Sequence, residues 1–92
     1  MIRSFADGET EQLFFTGKSR RFSGILAVVR RKLQVLDATG LLDDLREPHG
    51  NRLEALQGDS KGQHSIRVNN QYRLCFRWQD GEAYDVEIVD YH

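Results

Sequence analysis

The 92 residues make one domain, spanning 1–92. Apolar residues at 39%, charged residues at 29% and a net charge of −1 describe a water-borne fold and argue against a bulk electrostatic nucleic-acid binder. No apolar run approaches the ~18 residues that span a bilayer, Met1-Ile-Arg-Ser-Phe5 has no signal-peptide core, and the single cysteine, Cys75, excludes an intramolecular disulfide, so a cytoplasmic protein without a membrane role is expected.

Taken in order, Ile2 to Phe5 suits a short edge strand. Asp7 and Thr10 are candidate helix starts, followed by the apolar patch Leu13, Phe14 and Phe15 and a stop at Gly17. Thr10 to Arg21 mixes apolar and basic residues, which fits either a packed first helix or a segment ordered by a partner. Phe22, Ile25, Leu26, Val29, Leu33 and Leu36 recur at three- and four-residue spacing and predict a strong helix with one apolar stripe, ended by Asp37-Ala-Thr-Gly40. Pro48-His-Gly50 is a loop. Asn51 to Leu56 reads as a strand with Arg52 and Glu54 on one face, and Gly58-Asp-Ser-Lys-Gly62 as a turn.

From Gln63 to His92 three runs alternate apolar and polar side chains, the period of half-buried strands. Matching the apolar faces pairs Ile66 with Leu74 and His64 with Phe76, then Trp78 with Tyr84, Phe76 with Val86 and Leu74 with Ile88. The same register sets Arg77 against Asp85 and Arg67 against Arg73, and brings Val89 beside Arg73. The class is α+β: N-terminal helices packed on one side of a twisted antiparallel sheet of about four strands.

Charge is segregated along the chain. Residues 18–32 carry Lys18, Arg20, Arg21, Arg30, Arg31 and Lys32 and no acid, whereas 79–92 carry Asp80, Glu82, Asp85, Glu87 and Asp90 and no Lys or Arg. A two-sided molecule is expected, with a basic side able to track a polyanion. The histidines, at 49, 64 and 92, lack metal-ligand spacing, and no glycine-rich phosphate loop or dinucleotide fingerprint is present, so no metal and no cofactor is expected. Like charges directly opposite, as at Arg67 and Arg73, cost up to ~1 kcal/mol, which an anion lying over them would relieve. Glu54, Arg67, Arg73, Tyr91 and His92, with Arg52 and Lys61 nearby, suit RNA cleavage by its own 2′-hydroxyl. That reaction needs a base, an acid for the leaving 5′ oxygen and cations where charge builds on phosphorus oxygens. It requires the guanidinium groups and the terminal imidazole to crowd one spot; an Arg73 locked inside the protein would leave only a binding role.

The opening Met1-Ile-Arg-Ser-Phe5, Leu53-x-x-Leu56-x-Gly58-Asp59, Gly62-x-x-Ser65-Ile66-x-Val68, Tyr72-Arg73 with Phe76, and the final Asp90-Tyr91-His92 resemble the HigB-type toxins of the RelE superfamily over essentially the whole chain. The resemblance implies a RelE-like fold and cleavage of mRNA held in the ribosomal A site, inhibiting translation. It implies a HigA-type antitoxin partner with a helix-turn-helix domain, through which alone operator DNA is met. By position, Arg73 matches the arginine that steadies the scissile phosphate, and Asp90, Tyr91 and His92 match the family's catalytic group. Glu54 stands where some members carry histidine, Gln57 where they carry lysine, and Tyr72 where tryptophan is commoner. Two assignments follow: Glu54 as base, Arg73 as electrostatic stabiliser and His92 as acid, or His92 as base with Glu54 orienting it. Arg20, Arg21, Arg52, Lys61, Arg67 and Tyr72 are the expected RNA contacts. The alternative is a non-catalytic module that binds RNA or the ribosome, or an antitoxin-interaction domain that modulates DNA-binding autoregulation.

Overall fold

Residues 1–60 and 62–90 are described by the structure, a computed structural model. Helix α1, Gly8–Thr16, begins where the sequence signals it: extended Asp7 caps it, its carboxylate accepting from the Thr10 N–H at 2.8 Å. It ends at Gly17, whose φ of 72° lets its N–H turn back to the Leu13 carbonyl at 2.8 Å. Thr10 and Leu13 are fully buried, and the Thr10 hydroxyl accepts the Ile88 N–H at 3.2 Å, so this helix is fastened to the sheet by apolar contact and by a hydrogen bond.

The second helix is shorter than its apolar stripe. A 3-10 turn, Ser23–Ile25, precedes α2, Leu26–Ala38, and Phe22 reaches the core from before that turn. Val29, Leu33 and Leu36 are fully buried, as the periodicity expects, while Arg30 and Arg31 are exposed and Lys32 is half-buried.

Four strands follow: β1 Glu54–Ala55, β2 Gln63–Arg67, β3 Tyr72–Gln79 and β4 Glu82–Asp90, an antiparallel meander in the order β1-β2-β3-β4. Ile66, Leu74, Phe76, Val86 and Ile88 turn towards the helices and form the core with Leu13, Phe22, Val29, Leu33 and Leu36. The β2–β3 register is the expected one, with His64 opposite Phe76, Ile66 opposite Leu74 and Arg67 opposite Arg73. The connection is tight because the Asn69 side chain accepts the Gln71 and Tyr72 N–H groups, each at 2.8 Å.

Three expectations are corrected. Between Cys75 and Arg77 the β3–β4 register shifts, and Asp85 has a φ of 53°; beyond this bulge Trp78 faces Ala83 and Arg77 faces Tyr84. One extra residue in β4 therefore moves Tyr84 off the apolar face and puts fully buried Ala83 on it. Second, the strand expected over Asn51 to Leu56 is only Glu54–Ala55: Asn51 closes a 3-10 turn and Arg52 takes a left-handed φ of 46°, so Arg52 and Glu54 do not alternate along one strand. Third, Ile2 to Phe5 makes only two isolated parallel bridges, Ile2 with Ala83 and Phe5 with Val86, along the outer edge of β4.

Candidate functional site

Residues paired directly across antiparallel strands share a face, and neighbours alternate faces. Since Ile66, Leu74 and Ile88 face the helices, the rows Glu54–Ser65–Cys75–Glu87 and Arg67–Arg73–Val89 lie on the other side of the sheet. The meander thus assembles Glu54, Ser65, Arg67 and Arg73 on one face from three strands.

Arg73 is the centre of this group, but it is not the open side chain that the strand pattern suggests. It retains 8% exposure. Its Nε donates to the Ser65 hydroxyl at 2.8 Å, and its Nη2 to the Arg52 carbonyl at 2.6 Å and the Ser65 carbonyl at 3.3 Å. The guanidinium fork crosses β2 and holds the segment that leads into β1. These three acceptors are neutral, and together they orient the group. Small Ser65, fully buried opposite Cys75, makes room for it. Burial pushes the Cys75 thiol up to about 11, with Glu87 adding and Arg73 opposing. Glu87 is also raised above the usual carboxylate range, first by burial, then by Asp7 and Asp85.

The other expected residues divide by place. Glu54 is exposed on the Arg73 face. Arg67 is half-buried, and its Nη2 donates to the Asn70 side chain. Arg77 lies on the same face in reach of Asp85, at 3.4 Å, so the expected ion pair forms despite the register shift. Exposed Arg52 lines a cleft of about 520 Å³ with Arg46, Glu47, His49 and Leu53. Tyr72 lies on the helix side instead, edge-on to Phe22 at 5.6 Å, and the Arg21 guanidinium sits over Phe22 at 4.9 Å. Arg21, beside exposed Arg20, therefore gathers with Tyr72 and not with Arg73. Asp90 is exposed opposite Tyr72 and accepts from the Gln71 amide at 3.1 Å. Lys61, Tyr91 and His92 lie outside the described residues. Among the described residues, no group of three or more His, Cys, Asp or Glu side chains is placed to hold a metal ion, and no helix is long and apolar enough to cross a membrane.

Sequence reasoning missed Ser65 and Asn51 as determinants of the site. The available signal for Ser65 was size: a small hydroxyl residue directly opposite the cysteine, beside two arginines. Asn51, fully buried, sends its amide N–H groups to the Leu45 and Glu47 carbonyls at 3.1 and 3.2 Å and fixes the approach to Arg52. Nothing in the sequence distinguishes it from an ordinary loop asparagine.

Over residues 3–92 the chain matches the family described as HigB-like toxin, the RelE-like toxin HigB of type II toxin–antitoxin systems. It is 48% identical over 85 residues to "Toxin HigB-1" of Vibrio cholerae, covering 90% of each chain. It is 31% identical to "Endoribonuclease HigB" of Proteus vulgaris over the full length of both. Among solved structures, the fold is similar to the YoeB–YefM complex from Staphylococcus aureus, with a TM-score of 0.58 at 16% identity, covering 100% of this chain and 98% of that one. It is also similar to a mutant YafQ from E. coli, with a TM-score of 0.60 at 14% identity, covering 98% and 93%.

Proposed function

Because the chain belongs to the HigB-like family of RelE-like type II toxins, we propose that it is a ribosome-dependent endoribonuclease that cleaves mRNA in the A site and so inhibits translation. The observation that carries the reading is the face on which Glu54, Arg67 and Arg73 meet, with the Arg73 guanidinium fixed by Ser65 and Arg52. In the proposed reaction the substrate's 2′-hydroxyl attacks the adjacent phosphorus. Glu54 takes its proton, His92 gives one to the departing 5′ oxygen, and a 2′,3′-cyclic phosphate and a 5′-hydroxyl result. Arg73 supplies a fixed positive charge as negative charge builds on the phosphoryl oxygens, with Arg67 beside it. Asp90 and Tyr91 belong to the same proposed catalytic group, and Arg20, Arg21, Arg52, Lys61 and Tyr72 to the RNA contacts. No metal takes part in these steps. Toxicity is held in check by a HigA-type antitoxin with a helix-turn-helix domain, through which the pair meets its operator, and the site of action is the cytoplasm.

Expression in a bacterial host tests this directly. Growth should stop with mRNA cut within translated codons, and the product of the adjoining gene should restore growth. Glu54→Gln should abolish cleavage if Glu54 is the base; full activity would pass the proton to His92. One observation favours a second reading. Arg73 keeps only 8% exposure and is tied to protein acceptors, close to the locked state that would leave only a binding role, and this suits a non-catalytic RNA- or ribosome-binding module. Under that reading, removing His92 leaves translation inhibition intact and no cut mRNA is found.

A further inference from the structure

The cleft next to Arg73 lies outside the proposed proton transfers. Its volume of about 520 Å³ suits a small ligand, and Arg46, Glu47, His49, Arg52 and Leu53 line it. Its walls are pinned from behind. Fully buried Asn51 sends its amide N–H groups to the Leu45 and Glu47 carbonyls, and its side-chain oxygen accepts from Lys32 Nζ on α2. The Asn51 main-chain N–H donates to the Pro48 carbonyl at 2.9 Å, and that of Arg52 to the His49 carbonyl at 3.3 Å. Arg52 is held at a left-handed φ of 46°, which side chains with a Cβ rarely adopt, and its carbonyl accepts from Arg73 Nη2 at 2.6 Å. Backbone kept in such a state is concentrated at ligand clamps and active sites.

The cleft carries both signs of charge without joining them. Among the described residues, ion pairs link Arg3 to Glu82, Arg46 to Asp43 and Arg77 to Asp85, and neither Glu47 nor Arg52 takes part in one. A simple anion there would meet the Glu47 carboxylate, and a simple cation the Arg46 and Arg52 guanidinium groups. A planar ligand with one donor edge and one acceptor edge satisfies both. Guanine has that pattern: N1–H and the N2 amine offer two donors to a carboxylate, while O6 and N7 offer two acceptors to a guanidinium fork. Adenine would turn its N1 lone pair towards the carboxylate, and cytosine its N3. Half-buried Leu53 supplies an apolar wall, and the His49 ring and Arg46 guanidinium supply planes on which a base stacks.

We propose that this cleft is a guanine-recognition site, in which Glu47 reads the donor edge of the base and Arg52 its acceptor edge. Two sources could present that base: a nucleotide of an RNA strand whose phosphate lies by Arg73, or a free guanine nucleotide. The first source rests on the proposed function; recognition of the base does not.

Equilibrium binding tests it. The probes are guanosine and adenosine 5′-monophosphates, and 2′-O-methyl oligoribonucleotides, which 2′-hydroxyl attack cannot cut, carrying guanine, hypoxanthine or adenine at one position. A good bidentate pair separates right from wrong base by about tenfold, so guanine should bind about tenfold more tightly than adenine. Hypoxanthine, which lacks the N2 amine, should fall between them. Glu47→Gln should remove the preference, and Arg52→Gln should weaken guanine binding. Both side chains are exposed, and the bonds from Asn51 and Arg73 go to the main-chain carbonyls of these residues, so both melting temperatures should hold. A preference shown by the monophosphates assigns the site to free nucleotides; one confined to the oligonucleotides assigns it to an RNA strand. Equal or absent binding of guanine and adenine on every probe overturns the proposal, as does a preference that Glu47→Gln leaves intact. Cut mRNA without a guanine preference would end this assignment and not the nuclease reading, whereas a guanine preference with uncut mRNA would end the nuclease reading and not this one.

Discussion

Replacing Ser65 by alanine removes one atom that touches both the fold and the site. Its hydroxyl, fully buried, accepts from Arg73 Nε at 2.8 Å. A hydrogen bond with one charged partner contributes about 1.5–3 kcal/mol net. The Arg73 Nη2 bonds to the Arg52 and Ser65 carbonyls survive the change, so the loss should stay within that range. In a domain of this length 1 kcal/mol moves the melting temperature by about 4–8 °C, so a fall on the order of 10 °C is expected. The guanidinium then keeps its charge but loses the bond that fixes its tilt. A misaimed transition-state donor costs part of the roughly 10²–10³ in rate that a deleted one costs, and about tenfold in kcat with little change in KM is expected. Thermal denaturation followed by circular dichroism and single-turnover cleavage on programmed ribosomes measure the two effects. A melting temperature within about 2 °C of wild type, together with unchanged cleavage, would show that Ser65 does not position Arg73.

Other outcomes follow from residues outside that bond. Asp7→Ala removes the α1 cap and should cost about 0.5–2 kcal/mol by chemical denaturation, partly offset because Asp7 also repels Glu87. Glu87 has its folded pKa raised, so the native state holds that proton more tightly than the unfolded chain. Its favourable contribution is complete below the ordinary glutamate range, near pH ~4.3, and is lost as pH rises through the raised value. Glu87→Gln should therefore match wild type in acid and be the more stable protein at neutral pH, as a pH series of urea denaturations would show. Glu54→Gln, at an exposed position, should leave stability within about 0.5 kcal/mol while removing cleavage. Cys75, buried with its thiol raised to about 11, should resist iodoacetamide at neutral pH until the protein unfolds.

The β2–β3 hairpin was legible because its alternation has one solution: a slip by one residue would expose Ile66, Leu74 and Phe76 together. The bulge at Asp85 was not, because alternation runs unbroken through Tyr84-Asp-Val-Glu-Ile88, and only the backbone at Asp85 reveals the extra residue. Asn51 to Arg52 misled for a related reason. Arg52 continues the alternation of Leu53, Glu54 and Ala55, but Asn51 spends its side chain on the loop carbonyls of Leu45 and Glu47, and Arg52 turns left-handed to leave it. The position of Arg73 on the polar face was readable from register. Its burial was not, because that depends on Ser65 being small enough for a guanidinium to lie across it. Lys32 looked like one of six cations in a basic stretch, and its half-burial and its bond to Asn51 separate it from exposed Arg30 and Arg31.

The pairing of Ile2 with Ala83 and of Phe5 with Val86 joins residues that leave the peptidyl-transferase centre some eighty codons apart. Until β4 emerges, the first six residues have no edge to dock on, and the Thr10 hydroxyl has no Ile88 amide to receive. A protein proposed to halt translation thus takes its finished shape only after its fourth strand has left the ribosome.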